Sequence, residues 1–205
     1  MMYIVAVLVL VYLYKIGGGN SSEKAKIKRH KRYLTRAKRV YKRLGKYPPA
    51  TQFKIIREVN PYVFEELLLY AFKRIGFKIK RSKSYSGDGG IDGQVKINGD
   101  WYLIQAKRYN NHIDSEHVKA FRVLCDQYRK QGFFIHSGKT GRKALSESGQ
   151  VVDIISGSKL LKLMELGRKR RSLFDRGYLQ QREFTVIYNP LKKEKGRLKR
   201  PFPRN

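Results

Sequence analysis

Three polar residues in the middle of the chain, Asp92, Gln105 and Lys107, have the types and spacing to hold a divalent cation beside a lysine. Gln105 and Lys107 stand two apart in the run WYLIQAKRY, so on a strand both side chains leave the same face. Asp92 opens the preceding run IDGQVKI, and the turn NGD between the runs folds them into a hairpin that can bring Asp92 alongside. The Asp92 carboxylate, the Gln105 amide oxygen and a main-chain carbonyl such as that of Ala106 are hard oxygen ligands suited to magnesium, which keeps several waters. Lys107 would orient and help deprotonate a water, or stabilise charge in the transition state of a phosphate ester under attack. Glu65, on the amphipathic segment before the hairpin, can point to the same place. The spacing is not specific: Gln-x-Lys is common on strands, and Gly-Asp-Gly-Gly is first of all a turn.

The elements that must position these residues are readable from periodicity. Asn60-Pro61 is a helix start, and apolar Val63, Phe64, Leu67, Leu68, Ala71, Phe72 and Ile75 follow at helical spacing until Gly76. Residues 77–80 alternate as a strand, and the loop SKSYSGDGG leads into the hairpin. The glycines around Asp88 and Asp92, namely Gly87, Gly89, Gly90 and Gly93, would let a phosphate backbone approach closely, while Asp88 reads mainly as a turn residue. A helix over 115–130, a strand over 133–135, a helix over 140–148, a strand over 151–155 and a helix over 158–166 complete the order α-β-β-β-α-β-α-β-α. That order predicts an α/β fold with a central mixed β-sheet flanked by helices on both faces. Cys125 falls in the apolar register of its helix and reads as a small buried hydrophobe. Trp101 and Tyr102 read as core, His30 as packed, and His112 and His117 as surface residues without the partners zinc requires. Arg108, Lys139 and Arg142, at strand or helix starts, are candidate phosphate contacts, with solvated surface the competing reading.

The flanks differ in kind from this centre. The formal net charge is +30, and residues 1–59 carry 15 Lys/Arg against 2 acids, residues 168–205 carry 13 against 3, and residues 60–167 carry 18 against 11. Such a balance favours a polyanionic partner, with nucleic acid ahead of an anionic membrane or a merely solvated basic surface. Residues 1–19 are expected to be a transmembrane anchor: no charge occurs before Lys15, and the following basic block places what comes after it in the cytoplasm. A buried strand is the competing reading of that segment. Residues 17–20 look like a flexible break. Residues 20–49 form a basic amphipathic helix and linker, with a stripe of Ile27, His30, Leu34, Ala37, Tyr41 and Leu44, ended by Gly45 and the break at Pro48-Pro49. It suits an anionic leaflet, a phosphate track or the core itself. Residues 50–167 form the central domain. Residues 168–205 form a basic extension in which REFTVIY reads as an added strand and the last fifteen residues as disordered.

From Phe64-Glu65 through GDGGIDG, YLIQAKRY and FFIHSGKTGRKA to IISGSKLLKL, about half the chain resembles the Mrr-type restriction endonuclease domain of the PD-(D/E)XK nuclease superfamily. The resemblance implies a restriction endonuclease-like fold, magnesium-dependent hydrolysis of DNA phosphodiesters, often modified DNA, and metal ligation by Asp92. The family's Glu/Gln-x-Lys pair matches Gln105 and Lys107, and its helical glutamate matches Glu65, with Glu66 one position on. Gln105 for the commoner glutamate removes one negative charge from the metal site. His136 stands where a small hydroxyl residue is more usual. Cutting both strands would require two sites, hence a homodimer on DNA. The competing expectation is a noncatalytic DNA- or membrane-binding adaptor on a nuclease-like scaffold.

Overall fold

The computed structural model describes residues 2–82, 90–168, 184, 193–194 and 197–198; for residues 2–20, 22, 193–194 and 197–198 it describes the backbone alone. The elements in order are α1 (Met2–Leu44), α2 (Pro49–Glu58), α3 (Pro61–Ile75), β1 (Lys78–Arg81), β2 (Gly93–Ile97), β3 (Asp100–Lys107), α4 (Ser115–Gln127), β4 (Gly132–His136), α5 (Arg142–Ser148), β5 (Val152–Ile155), α6 (Gly157–Arg168), β6 (Lys193–Glu194) and β7 (Arg197–Leu198). From α3 to α6 this is the order and mixed sheet expected from periodicity, with element ends shifted by one to three residues. The sheet runs β1-β2-β3-β4-β5, antiparallel from β1 to β3 and parallel from β3 to β5.

Local chemistry sets the boundaries. The Asn60 side chain accepts the Tyr62 N–H at 3.0 Å, Pro61 occupies the first turn where no amide hydrogen is needed, and Gly76 at φ 109° closes α3. Asn98 and Gly99, at φ 50° and 94°, make the two-residue turn between β2 and β3. Positive φ at both central positions matches the twist of the flanking strands.

Alternation along β3 divides the molecule. Tyr102, Ile104 and Ala106 face a core built with Phe64, Leu67, Phe72, Leu163 and Met164 under α1, α3 and α6. Leu103 faces a second cluster with Phe121, Cys125 and Phe134 under α4 and α5. Each fully buried Leu, Ile or Phe here contributes about 1.5–3 kcal/mol. Cys125 is 0 % exposed and burial pushes its thiol up to about 12, so it is the inert hydrophobe its position suggested. Phe72, Phe133 and Phe77 form an aromatic nest around Phe184, with ring centroids 5.1–6.0 Å from the Phe184 ring.

Several expectations are corrected. The helix runs unbroken through residues 17–20: a helix already nucleated on either side crosses glycine at about 1 kcal/mol per residue. The Pro48-Pro49 break is also a start, because Pro49 sits at the first position of α2, a helix whose Gln52 and Ile56 are buried. The basic helix packs on the core through Ala37, Val40, Tyr41 and Leu44, with the Tyr41 hydroxyl donating to Met164 O at 3.1 Å, while Ile27 is 49 % exposed. His30 lies at that interface, 3.5 Å from Glu66, which also accepts from Arg81 Nε at 2.9 Å. Trp101 is not core: no helix of the described residues covers its end of the sheet, and its half-buried ring meets the ammonium groups of Lys80 and Lys96 at 5.0 and 5.9 Å. Tyr102 is core, stacked on Phe133.

In the extension, β6 and β7 pair with Glu194 opposite Arg197, so part of the last fifteen residues has a paired backbone where disorder was expected. The strand expected at REFTVIY lies outside the described residues except Phe184, whose backbone is helical. Among the described residues no helix is long and apolar enough to cross a membrane. The side chains of residues 1–19, where the anchor is expected, lie outside the description.

Candidate metal and phosphate site

The two-residue turn sets the register of the hairpin, with Gly93 opposite Ile104. One rung further, Asp92 falls opposite Gln105. There the ladder changes from main chain to side chain. The Asp92 N–H donates to Ile104 O at 2.9 Å, while the Ala106 N–H donates to Asp92 Oδ2 at 2.6 Å. A charge-assisted bond of this length fixes the carboxylate against the backbone between Gln105 and Lys107. The three residues share one face of the sheet, opposite the Ile104 and Ala106 core.

Gln105 is 6 % exposed, and its Oε1 has no hydrogen-bond partner among the described residues. An unmatched buried acceptor costs about 1–3 kcal/mol, a cost that a shared cation removes. Gly90, at φ 98°, carries the loop backbone over this amide; a Cβ there would overlap Gln105 Nε2. Gly93 has a different reason: its missing Cβ makes room for Leu69 and the Lys80 carbonyl, so it serves packing rather than phosphate approach. Gly87, Asp88 and Gly89 lie outside the described residues. Among the described residues no three His, Cys, Asp or Glu side chains gather as metal ligands. The donors at hand are a carboxylate, an orphaned amide oxygen and the Ala106 carbonyl, a set that fits a hard divalent cation rather than zinc.

Lys107 ends β3 half-buried, paired in register with His136 of β4, and makes no ion pair among the described residues. His136 is 0 % exposed: its Nδ1 accepts from the Gly138 N–H at 3.2 Å, and its Nε2 lies 3.0 Å from Thr140 Oγ1, itself 3.0 Å from Ser156 Oγ. Burial lowers the imidazole to about 4, so the ring is neutral and Nε2 carries the proton toward Thr140. This histidine braces the loop after β4.

Glu65 belongs to the other layer. It stands half-buried on α3, the helix covering the Ile104 face, and can join the set only around the open end of the hairpin, not across the sheet. Glu66, its neighbour, is 2 % exposed and engaged with Arg81 and His30. Arg108 turns back to α2, where its guanidinium donates to Arg57 O and its Nε is buried without a partner among the described residues. Lys139 is exposed, with its main chain tied to Asn111 and Ile113, and Arg142 is exposed at the first residue of α5. His112 is exposed and bridges to Lys139 through the main chain, and His117 Nδ1 meets the Tyr109 hydroxyl.

Two contributors were missed from sequence. Ser137, buried, accepts the Tyr109 N–H at 3.0 Å and donates to Tyr109 O at 2.9 Å, while its carbonyl accepts from Arg57 Nε at 3.1 Å. Ser137 and Arg57 thus tie α2, β4 and the segment after Lys107 together. A serine after a buried strand and an arginine late in a short helix carry no sequence pattern that announces this.

Neither the comparison with curated proteins nor that with solved structures returns a match. Residues 56–164 do match the family model Mrr_cat, described as a restriction endonuclease, and this stretch spans α3 to α6 with all of Asp92, Gln105 and Lys107 inside it. With the mixed five-stranded sheet, its flanking helices and more than half the chain matched, the chain belongs to the Mrr-type restriction endonuclease family.

Proposed function

We propose that the chain is a magnesium-dependent DNA endonuclease whose hydrolytic site is formed by Asp92, Gln105, the Ala106 carbonyl and Lys107. The observation that carries this reading is the buried, unpartnered Gln105 oxygen beside an aspartate bonded to the next residue's amide. A magnesium ion held there would supply Lewis-acid stabilisation of the phosphate under attack. Lys107, on the same face and free of ion pairs among the described residues, donates to a non-bridging phosphate oxygen and orients the incoming water. Glu65 supplements the set from the hairpin's open end. Lys139 and Arg142 contact flanking phosphates, with Arg108 behind them.

A restriction role against foreign or modified DNA is part of this proposal, supported by membership of the family. The anchor at residues 1–19, the cytoplasmic placement of the nuclease domain and the homodimer on DNA belong to the same proposal, supported by the uncharged N-terminal run, the basic block after it and the two cuts a duplex needs. The deciding experiment is plasmid cleavage with purified protein. Magnesium should support cutting, a chelator should stop it, and Lys107→Ala should lose it while keeping salt-dependent DNA binding. Binding without cleavage in the wild type, on both methylated and unmethylated plasmid, would instead establish the adaptor.

A further inference from the structure

The face of the sheet that carries Asp92, Gln105 and Lys107 continues past them to an end that no helix of the described residues covers. Register pairs on adjacent strands share a face, and here they stack in rows: Lys80 with Gln94 and Leu103, then Lys78 with Lys96 and Trp101. Helices α4 and α5 cover this face over β3 to β5, through Leu103, Phe134 and Ile154. Over β1 and β2 no helix of the described residues does so, and Lys78 and Lys80 are exposed, Lys96 and Trp101 half-buried. Lys130, at the end of the turn after α4, reaches in to place its ammonium 3.2 Å from Gln94 Oε1.

Three lysines, Lys80, Lys96 and Lys130, therefore converge on one indole and one amide, with Lys78 beside Lys96 in register, and none of the four makes an ion pair among the described residues. Burial lowers the Lys130 pKa, and the positive charge of Lys80 lowers it further, so the ammonium groups repel at short range. Gathering like charges beside a partly desolvated ring is unfavourable unless an anion joins them. The anion is extended rather than single, because the rows lie about 7 Å apart along the strands, and six residues, about 20 Å, separate Trp101 from Lys107.

We propose that the open face of β1 and β2, with Lys78, Lys80, Lys96, Lys130 and Trp101, is the binding track for the DNA strand that runs into the Asp92–Gln105–Lys107 site. Trp101 holds two of the ammonium groups in place through its ring, and the lysines neutralise successive phosphates. This inference rests on the nuclease reading for the identity of the polyanion, and its test is independent of cutting.

Trp101 is the single tryptophan of the chain and reports on the track directly. The full chain, in chelator so that no cleavage occurs, is titrated with a duplex oligonucleotide while tryptophan emission and mobility shift are followed together. Emission should change saturably with the same affinity as the shift. Lys80→Ala with Lys96→Ala should reduce the slope of log affinity against log salt by about 2, at roughly 0.9 for each phosphate left without its lysine. Lys119→Ala with Lys143→Ala, which removes two lysines paired with Glu116, should leave affinity and slope as they were. DNA that shifts the protein without moving Trp101 emission, or with an unaltered slope in the Lys80/Lys96 variant, would place the binding surface elsewhere, for example on the basic groove between α1 and α2 lined by Lys28, Arg32, Arg36 and Arg39. Absence of DNA binding, or anionic vesicles that change emission and outcompete DNA, would overturn the track as well. An intact emission response in a protein that fails to cut DNA with magnesium would sink the nuclease reading and leave the track standing.

Discussion

The two faces of β3 are built from alternate residues of one strand, yet they resolve polarity in opposite ways. Tyr102, Ile104 and Ala106 enter a closed core under three helices, and the buried carboxylate of Glu66 in that layer is matched within the molecule by Arg81 and His30. Trp101, Gln105 and Lys107 on the other face carry cations without counter-ions and an amide oxygen without a donor among the described residues. The first face is satisfied as folded; the second leaves groups unmatched among the described residues, as the proposed cation and DNA strand require. Loss of function and loss of stability should therefore separate by face. The largest effect is expected at Asp92. Asp92→Asn keeps the size and an acceptor for the Ala106 N–H but removes the charge, and cleavage should fall on the order of 10²–10³-fold while stability falls by no more than about half of what the charged bond contributes. Asp92→Ala should lose cleavage equally and also melt earlier, by loss of a charge-assisted bond of about 1.5–3 kcal/mol. Equal stability of the two variants by denaturant unfolding would show that the bond to Ala106 contributes nothing.

The complementary break is Ile104→Ala, next to Gln105 on β3 and 1 % exposed on the closed face. It should cost about 2–5 kcal/mol of stability by cavity formation. Cleavage per folded molecule, measured well below the melting temperature, should remain within a few-fold of wild type. A loss of cleavage as deep as that of Asp92→Asn in a fully folded Ile104→Ala protein would mean the faces are not separable.

How much of this was legible depends on whether a signal is local. The pairing of Asp92 with Gln105 follows from the Asn98-Gly99 turn, because a two-residue loop leaves one register for the strands on either side. Helix α3 announced itself through Asn60-Pro61 and Gly76, and the alternation of β3 marked Gln105 and Lys107 as co-facial. What escaped needed tertiary knowledge. Trp101 reads as core in a strand of aromatics, since nothing local says that the covering helices stop short of it. Pro49 reads as a breaker, although the same ring suits the first turn of α2. Glu65 and Glu66 are neighbours about 100° apart around a helix, and only the positions of α1 and β1 decide that Glu66 meets Arg81 and His30. The orphaned Gln105 oxygen, on which the functional reading leans, is invisible until every neighbour has been placed.

His136 tests the boundary between the faces through pH. Its folded value of about 4 lies below the ordinary 6.5, because burial disfavours the charged ring. The unfolded chain then binds the extra proton first as pH falls. The neutral ring's contribution is fully present above about 6.5 and is lost progressively toward pH 4, by up to about 3 kcal/mol. His136→Gln should flatten stability against pH across that window, read from denaturant midpoints between pH 4 and 7. If the slopes of wild type and variant coincide, the imidazole is hydrated in the folded state and does not brace Thr140 in the manner described.

The smallest effect is expected where the loop crosses the open face. Gly90 lies at φ 98° and its absent side chain leaves room for the Gln105 amide. Gly90→Ala strains the backbone by about 1 kcal/mol and pushes a methyl group into that amide. The amide must turn or retreat, so the orphaned oxygen loses its aim. Cleavage should then demand more magnesium, with the half-saturating concentration raised several-fold and the rate at saturation little altered. A ligand displaced from a cation weakens the hold on the ion but leaves Lys107 and Asp92 in place to act once it is bound. Gly93→Ala, three residues on, meets Leu69 and the Lys80 carbonyl on the closed face. It should lower stability and leave the magnesium requirement unchanged. A magnesium requirement raised equally by both substitutions would mean that the loop responds to strain in the hairpin as a whole, and Gln105 would lose its place as the residue that Gly90 positions.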